Sequence, residues 1–417
     1  MSDSTVHPEG GSQTVAATAQ LTGILRRVAS LGDILERSVG DATHPLKIQL
    51  ERFDSPVHAV IDGRPTTLFG TNSYLGLNFD PRCIAAAETA LKTWGTGSTA
   101  SRVASGNQAG HAELERTIAA YYGRPDAIVF STGFMANLGS IGGLAAEGDL
   151  ILYDAFCHAS IIDACRASGA TFKSFRHNDP ADLDRMLSEA TVPPSRTLVV
   201  LEGLYSVWGD LGAVKDLATV AKKHGALVLV DEAHGLGLYG PTGRGVTEAQ
   251  GAEHLVDAVV GTFSKSVGVI GGYCVTSHPA LKALRFLARS YLYTASLPPA
   301  VVASARTAIG IIAGEPERRA DLWRKAERFC AGVEALGYSM CAAPGPVGAI
   351  KMRGLVQGLG FWRELLERGI YVNILVPPAT PSGEVLLRYS VSAAHTDADI
   401  DLFLGVLSDL SQMSQTA

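Results

Sequence analysis

Five short apolar runs, separated by stretches with helical spacing, constrain most strongly what this 417-residue chain can fold into. The runs are AIVFS (127–131), LILYD (150–154), TLVVLEG (197–203), ALVLVDEAH (226–234) and DAVVGTFSK (257–265). Each run is apolar without alternation, which is typical of strands buried on both faces of a parallel sheet. Stretches such as DLATVAKKHG (216–225), with Gly225 as a candidate helix C-cap, supply crossover helices. The sequence therefore predicts an α/β domain with a mainly parallel sheet.

The changing character of the sequence divides the chain into four segments. Residues 1–20 are polar and small, so we expect a disordered tail there. Residues 21–55 are interpreted as an N-terminal arm that begins with an apolar pattern of helical spacing, and its contact with the body, a partner subunit or the acyl chain stays open. Residues 56–305 are expected to form the large domain. Residues 306–417, a long amphipathic helix followed by shorter strands, are expected to form a smaller α+β domain.

Composition and charge exclude several kinds of protein. The net charge of −6 gives no electrostatic reason to expect nucleic acid as a partner. No apolar run approaches the roughly 18 residues that suggest a membrane span, and the N-terminus lacks the basic start and apolar core of a signal peptide. The six scattered cysteines form no C-x-x-C motif, so reduced thiols and a cytoplasmic location are expected. No metal site is expected, since Cys157, Cys165 and His158 lack a further ligand pair.

Polar side chains follow three of the apolar runs directly, and ligands of open α/β sheets bind outside the carboxyl ends of the strands. The residues in question are Ser206 after the third run, Asp231 and His234 in the fourth, and Thr262, Ser264 and Lys265 in the fifth. Lys265 is the only charged residue in the stretch VVGTFSKSVGVIGGYCV (259–275). Lysine is rarely buried without a partner, so this placement predicts a chemical role for a neutral amine.

These groups suit the cofactor pyridoxal phosphate. A lysine among apolar neighbours loses its proton more easily, and its amine can then form a Schiff base with an aldehyde. A strand-end carboxylate such as Asp231 can pair with a pyridinium nitrogen and keep the ring an electron sink. The hydroxyl groups of Thr262 and Ser264, with the N–H groups of STGFMAN (131–137), can hold a phosphate. Considered alone, Lys265 could also be a lysine whose charged end reaches solvent. Asp231 alone could also be a cap for the following turn.

Three known sequence motifs are incomplete or absent in this chain. DEAH (231–234) occurs in helicases, but the chain has no G-x-x-x-x-G-K-[ST] loop to hold nucleotide phosphates. GLGLYG (235–240) matches G-x-G-x-x-G, yet Pro241 and Gly243 follow it, so it cannot open the helix of a dinucleotide site. A G-x-S-x-G nucleophile elbow is absent from the sequence.

Eight strings in the chain resemble the α-oxoamine synthases, in the order that this family keeps from about residue 50 onwards. They are NSYLGL, FSTGFMANLG, CHASIIDA, LEGLYSVWGD, VLVDEAHGLGLYGPTGRG, GTFSKSVGVIGGY, YTASLPP and LLRYSVSAAHT. The resemblance implies a fold-type-I, aspartate aminotransferase-like enzyme that uses pyridoxal 5'-phosphate to condense an amino acid with an acyl thioester, with loss of CO2.

Within this family, GTFSKS, YTASLPP and the segment around PPATPSG are most similar to soluble bacterial members that join L-serine to a palmitoyl thioester. That reaction gives 3-ketodihydrosphingosine, the first intermediate of sphingolipid biosynthesis. The alternatives are members that use glycine or alanine, of the 2-amino-3-ketobutyrate or 8-amino-7-oxononanoate type, and a pyridoxal-phosphate transaminase. Whether the donor is acyl-CoA or acyl carrier protein, and how long its chain is, stays open.

The resemblance also implies roles for individual residues. Lys265 would be the Schiff-base lysine and the base that removes the α-proton, and Asp231 would pair with the pyridine nitrogen. His158 would stack on the ring, while His234 and Ser206 would approach its phenolic oxygen. The further positions implied for cofactor and phosphate are Gly133, Phe134, Thr262, Ser264, Thr294 and Ala295. The last two would reach the phosphate of the other subunit, so the resemblance implies a homodimer with shared active sites.

Recognition of the amino-acid carboxylate is expected to rest on Arg388 and Asn72. Arg388, in LLRYS, offers a planar guanidinium that suits a carboxylate. The most similar members of the family carry an arginine before PPATP, where this chain has Val376, which cannot donate a charge-assisted hydrogen bond. Asn72, in TNSYLGL, occupies the position that sister enzymes use near the carboxylate, so we hypothesise that Asn72 and Arg388 share this duty.

Overall fold

The computed structural model describes residues 22–39, 45–377, 379–380 and 383–415. The chain divides into two units between Leu50 and Glu51. The first unit contains helix α1 (Gly23–Val39), where the apolar spacing predicts a helix, and the role of the arm stays a prediction. The predicted disordered tail, residues 1–20, lies outside the described residues.

A seven-stranded sheet forms the centre of the second unit, in the order β4-β10-β9-β8-β7-β5-β6. Its strands are β4 (Asp126–Phe130), β5 (Leu150–Asp154), β6 (Thr171–Phe175), β7 (Thr197–Glu202), β8 (Leu227–Asp231), β9 (Ala258–Thr262) and β10 (Gly272–Thr276). Strands β6, β5, β7, β8 and β9 pair in parallel, and β10 runs antiparallel to both β9 and β4. The predicted, mainly parallel sheet is therefore confirmed.

Helices connect and cover the strands of this sheet. They are α2 (Pro81–Trp94), α3 (Ala109–Tyr122), α4 (Gly133–Leu144), α5 (Ala159–Ser168), α6 (Pro180–Glu189), α7 (Val214–His224), α8 (Val246–Ala249), α9 (Leu284–Leu287), α10 (Arg289–Leu292) and α11 (Pro299–Gly314). Gly225 ends α7 with φ of 85°, a left-handed conformation that glycine adopts without steric cost, so the predicted C-cap is confirmed.

Two smaller sheets complete the unit, with helices α12 (Pro316–Ala335), α13 (Leu355–Glu367) and α14 (Asp397–Gln415). One has the order β1-β2-β3-β12 and the other the order β11-β14-β13. Their strands are β1 (Arg52–Ser55), β2 (His58–Ile61), β3 (Arg64–Leu68), β11 (Val347–Met352), β12 (Ile370–Tyr371), β13 (Asn373–Leu375) and β14 (Val385–Ser390). The apolar run 369–375 thus splits: β12 pairs with β3, and β13 pairs with β14. A smaller C-terminal α+β part follows the large sheet, as predicted.

A buried carboxylate fixes the loop that follows β8. Glu232 is fully buried and accepts hydrogen bonds from Val246 N (3.0 Å), Thr247 N (2.7 Å) and Thr247 Oγ1 (2.6 Å) at the start of α8. Burial raises the pKa of Glu232 to about 7, against these hydrogen bonds. The backbone passes so close that a Cβ placed on Gly235 would overlap this carboxyl group. Glu232 therefore ties the segment behind Asp231 to the rest of the domain.

We predict that Gly235→Ala lowers the free energy of unfolding by about 2 kcal/mol, because the added methyl group must displace the buried Glu232 side chain. Gly142→Ala is the matched control, since a Cβ at that position of α4 meets no atom within 4 Å. This control should be neutral or more stable by about 0.5–1 kcal/mol, because alanine favours the helix. Urea unfolding measures both, and equal stability of the two variants would contradict the role given to Glu232.

Candidate active site

Lys265 lies three residues beyond the end of β9, at the edge of the sheet where β7 and β8 also end. Burial lowers the pKa of Lys265 to about 8, although the nearby Asp231 and Glu202 carboxyl groups act in the opposite direction. A sizeable fraction of the amine is therefore neutral near pH 8, and a neutral amine can add to an aldehyde.

A chain of hydrogen bonds holds Asp231 in the core of the site. Asn137 Nδ2 donates to Asp231 Oδ2 (2.7 Å) and to Ser160 Oγ (3.0 Å), and Ala233 N donates to Asp231 Oδ1 (2.8 Å). The Ser160 hydroxyl group lies 2.8 Å from His158 Nδ1, which also accepts from Ser160 N. The chain therefore fixes the carboxylate of Asp231 and the imidazole of His158 relative to each other.

His158 is the N-cap of α5, and its side chain is exposed. Partial desolvation lowers the pKa of His158, and Lys265 acts in the same direction while Asp231 opposes it. A neutral ring that accepts at Nδ1 carries its proton on Nε2. Such a ring presents a flat apolar face and one N–H donor.

Glu202 was not predicted from the sequence, yet it lies directly beside Asp231 across the paired strands β7 and β8. Its carboxyl group is buried and accepts a hydrogen bond from His158 N. Burial, with the neighbouring Asp231, raises the pKa of Glu202 well above its usual range. Glu202 therefore takes up a proton more readily than an exposed carboxyl group, and it anchors the backbone of His158.

His234 belongs to a second polar chain that reaches Arg388. His234 is buried, and its Nδ1 lies 2.7 Å from the hydroxyl group of Tyr74, which is 3.1 Å from Asn72 Oδ1. Arg388 Nη2 donates to the same Asn72 oxygen (3.2 Å), and Arg388 Nε donates to Ser206 O (2.6 Å). Burial, with the positive charge of Lys265, lowers the pKa of His234 well below its usual range.

The N-terminus of α4 lies against the end of β9. Thr132 caps this helix by accepting from Met135 N (3.1 Å), and a helix leaves its first N–H groups without partners inside the helix. A Cβ at Gly133 would lie only 2.8 Å from Thr262 Cβ, so glycine permits this approach. Thr262 and Ser264 follow on the other side, with their hydroxyl oxygens 3.2 Å apart. N–H groups, hydroxyl groups and the positive end of the helix dipole together suit an anion.

The structure brings most of the predicted site residues together, and their individual roles stay predictions. Phe134 is exposed at the first turn of α4. Thr294 and Ala295 line a narrow cavity with Ser131 and Ser290 of the same chain.

Four residues of the site were missed in the sequence: Glu202, Asn137, Ser160 and Tyr74. Glu202 ends its apolar run as Asp231 ends the next one, so the same strand-end argument could have found it. Asn137 and Ser160 are polar residues in helices that pack on the sheet, and only the tertiary structure aims them at Asp231 and His158. The sequence gives no signal for these two.

The chain belongs to the aminotransferase class I and II family, whose sequence profile matches residues 64–407. Within it, the sequence is 46% identical to the serine palmitoyltransferase of Caulobacter vibrioides, over 88% of this chain and 91% of that protein. An 8-amino-7-oxononanoate synthase of Methylococcus capsulatus is 40% identical, over 84% of this chain and 90% of the relative. The predicted resemblance to α-oxoamine synthases is confirmed.

A solved structure supports the same grouping. It is a Sphingomonas paucimobilis serine palmitoyltransferase in which alanine replaces a lysine, with a bound PLP–myriocin aldimine. It superposes with a TM-score of 0.91 at 43% identity and covers 95% of this chain and 100% of its own. The predicted fold class, fold type I with a smaller C-terminal domain, is therefore confirmed.

We predict that Lys265 of the cofactor-free protein reacts with a small aldehyde with a midpoint near pH 8, because only the neutral amine adds to the carbonyl group. Borohydride reduction and peptide mapping at a series of pH values measure the labelled fraction. Asp231→Asn removes a charge that favours the ammonium form and should move the midpoint to lower pH. A midpoint above pH 10, or a label that persists elsewhere in Lys265→Ala at the same yield, would contradict the assignment.

Proposed function

We propose that this protein is a pyridoxal-phosphate-dependent acyltransferase that condenses L-serine with a long-chain acyl thioester, such as a palmitoyl thioester. The reaction releases CO2 and gives 3-ketodihydrosphingosine, the first step of sphingolipid biosynthesis. The observation that carries the proposal is the 46% identity to a serine palmitoyltransferase, against 40% to an 8-amino-7-oxononanoate synthase over similar spans.

The residues present fit pyridoxal phosphate. Gly133 lets the N-terminus of α4 pack closely on Thr262, so N–H groups of the helix and the Thr262 hydroxyl group form an anion site. Asp231 offers a buried carboxylate for a ring nitrogen, and Lys265 offers an amine whose pKa burial lowers to about 8. The anion site therefore matches the phosphate of the cofactor, the Asp231 carboxylate matches its pyridine nitrogen, and the Lys265 amine matches its aldehyde.

Pyridoxal phosphate, when bound, supplies an aldehyde that captures the amino group of the substrate and a ring that takes up the electrons of the α-carbon. Asp231 would hold the ring nitrogen through its buried carboxylate. Lys265 would offer a neutral amine that can take the α-proton. His158 would offer a flat ring face toward the cofactor and, through Nε2–H, a donor toward the substrate.

Arg388 and Asn72 suit the carboxylate of the amino acid. Arg388 donates from Nε to Ser206 O and from Nη2 to Asn72 Oδ1, and neither bond uses Nη1. These two bonds fix the plane of the guanidinium, so its remaining donors are held in one orientation. Val376 lies in the turn after β13, where its carbonyl oxygen accepts from Ala379 N (2.9 Å), and its side chain cannot replace a second arginine.

We further propose a homodimer with shared active sites and a cytoplasmic location. Apolar side chains preceding Thr294 and Ala295 are left exposed in the single chain: Phe286 by 77%, Leu287 by 55% and Tyr293 by 73%. Apolar side chains exposed together commonly mark an interaction surface. The six cysteines are all free, as expected in a reducing compartment. In the described part of the chain, no helix is long and apolar enough to span a membrane.

Titration of the cofactor-loaded protein with serine, glycine and alanine, followed by addition of a long-chain acyl thioester, tests the proposal. We expect serine to change the cofactor absorbance and to release labelled CO2 only when the thioester is present. Palmitoyl-CoA and palmitoyl acyl carrier protein in parallel assays identify the donor. If CO2 is released with glycine or alanine plus the thioester but not with serine, a sister reaction is supported. Conversion of the cofactor to its amine form without CO2 release would indicate a transaminase.

We predict that Arg388→Ala raises the KM for the amino acid by about a hundredfold, since a charge-assisted bidentate contact is worth about 3 kcal/mol. The absorbance of the bound cofactor should be unchanged. Arg388→Lys keeps the charge but loses the planar fork, so it should recover only part of the affinity. An amino-acid affinity equal to that of the wild type in Arg388→Ala would exclude this carboxylate assignment.

A further inference from the structure

A histidine lies between two carboxylates behind the candidate active site. His177 Nδ1 is 2.8 Å from Asp154 Oδ1, at the end of β5, and His177 Nε2 is 2.7 Å from Asp210 Oδ2, in the loop after β7. Asp154 is fully buried, and the His177 side chain is 18% exposed. Asp210 Oδ1 is buried and has no hydrogen-bond partner among the described residues, so His177 provides the contact that compensates this carboxylate.

The geometry favours a charged imidazole. An imidazolium can donate to Asp154 and to Asp210 at the same time, whereas a neutral ring can donate to only one of them. Asn178 Nδ2 also lies 3.3 Å from His177 Nε2. Burial acts against the charge, but the bonds to Asp154 and Asp210 outweigh it and raise the pKa of His177 to about 9. The phenol of Tyr205, whose ring meets His177 edge-on at 4.5 Å, is a further titratable group beside the imidazole.

Aromatic packing extends this contact to the neighbouring segments. Phe156 stacks on the His177 ring at 4.2 Å and on the Trp208 ring at 4.4 Å. Phe156 lies two residues before His158, and Trp208 lies two residues after Ser206. The imidazolium therefore joins the turn that leads to His158 with the loop that carries Ser206.

The loop after β7 is closed around Ser206 by its own backbone. Tyr205 N donates to Asp210 O (2.9 Å), and Gly209 N donates to Tyr205 O (3.0 Å). The carbonyl oxygen of Asp210 thus binds the residue before Ser206, and the carbonyl oxygen of Ser206 accepts from Arg388 Nε (2.6 Å). Asp210 is therefore connected to Arg388 through the backbone of this turn.

We propose that His177 is a positioning residue: its ionic contacts with Asp154 and Asp210 hold the Ser206 loop and the His158 turn in register with the cofactor pocket and with Arg388. The inference deepens the proposed function, because it takes this pocket to hold a cofactor and an amino acid. It predicts that the contact acts on both ligands although His177 touches neither.

His177→Gln and Asp210→Asn are the test variants, since both keep the size of the side chain and remove a charge. His224→Gln and Asp184→Asn are matched controls, because His224 Nε2 lies 2.8 Å from Asp184 Oδ1 between α7 and α6. Titration of the cofactor-free proteins with pyridoxal phosphate should show an affinity about tenfold lower in both test variants and unchanged in the controls. The KM for the amino acid should rise about tenfold, with kcat changed less. The double variant His177→Gln/Asp210→Asn should be no worse than either single variant.

The pH dependence of thermal stability provides a second readout. The pKa of His177 is raised above the value of about 6.5 that an unfolded chain has, so its stabilising charge is fully present below pH 6.5 and is lost as the pH rises through about 9. The difference in Tm between wild type and His177→Gln should therefore be largest near pH 6.5 and should shrink above pH 9. Because both proteins share every other titrating group, this difference isolates His177.

A purely structural role would lower Tm without altering either affinity, and that result would overturn the proposal. If His177→Gln fails to fold, Asp210→Asn answers the same question, because it leaves the bond to the buried Asp154 intact. A wild-type protein that binds no pyridoxal phosphate would contradict the proposed function instead, and the pH dependence of Tm would still test the ionic contact.

Discussion

Two carboxyl groups and an amine share one poorly solvated space at the carboxyl edge of the sheet, and the rest of the site is arranged around them. The pairing of β7 with β8 places Glu202 opposite Asp231, and Lys265 follows the next strand. Burial of charged groups is costly, and a protein relieves the cost by shifting pKa values. Burial raises the pKa of Glu202 well above its usual range and lowers the pKa of Lys265 to about 8, although the two carboxyl groups oppose the shift of Lys265. The poor solvation of this edge of the sheet thus favours the neutral amine.

This arrangement depends on rigid surroundings. Asn137, on α4, donates hydrogen bonds from its amide group to Asp231 and Ser160, and the Ser160 hydroxyl group contacts the ring of His158. Behind them, Glu232 anchors the loop after β8 on the N–H groups of α8. Helices therefore orient the side chains of the candidate site, while the sheet supplies their positions.

The sequence predicts the strands that are buried on both faces, because burial on two sides requires an unbroken apolar run. Strand β6 (TFKSF) was missed because it is the last strand of the sheet, where exposed polar side chains interrupt the pattern. Strand β10 was missed because it lies in the same apolar stretch as Lys265, only ten residues after β9. The apolar run 369–375 contains two short strands that join different sheets, and periodicity does not show which sheet a strand joins. Pattern reasoning thus finds strands with an unbroken apolar run of their own, such as the edge strand β4, and misses β6 with its polar side chains and β10 within a longer apolar stretch.

The candidate site was predictable where its residues follow apolar runs, as Asp231 and Lys265 do. Asp154, His177 and Asp210 lie on three separate segments, and nothing in their spacing indicates that they meet. Asp154 also ends an apolar run, but its side chain accepts from His177 and from the backbone of Phe156 and Asn178. A strand-end carboxylate is therefore a candidate for chemistry or for support, and only its hydrogen-bond partners distinguish the two.

Recognition of the substrate carboxylate shows how closely support and chemistry are joined here. Because position 376 is a valine, no second arginine stands beside Arg388 at this position. In the proposed function, the orientation of the single Arg388 guanidinium therefore has to provide carboxylate recognition that two arginines could share. That orientation comes from the carbonyl oxygen of Ser206 on one side and from Asn72 on the other. Asn72 is linked through Tyr74, whose pKa burial raises to about 12, to His234. The guanidinium that we propose for the carboxylate is therefore placed by the same segments that carry Ser206 and Asn72, beside the proposed cofactor pocket.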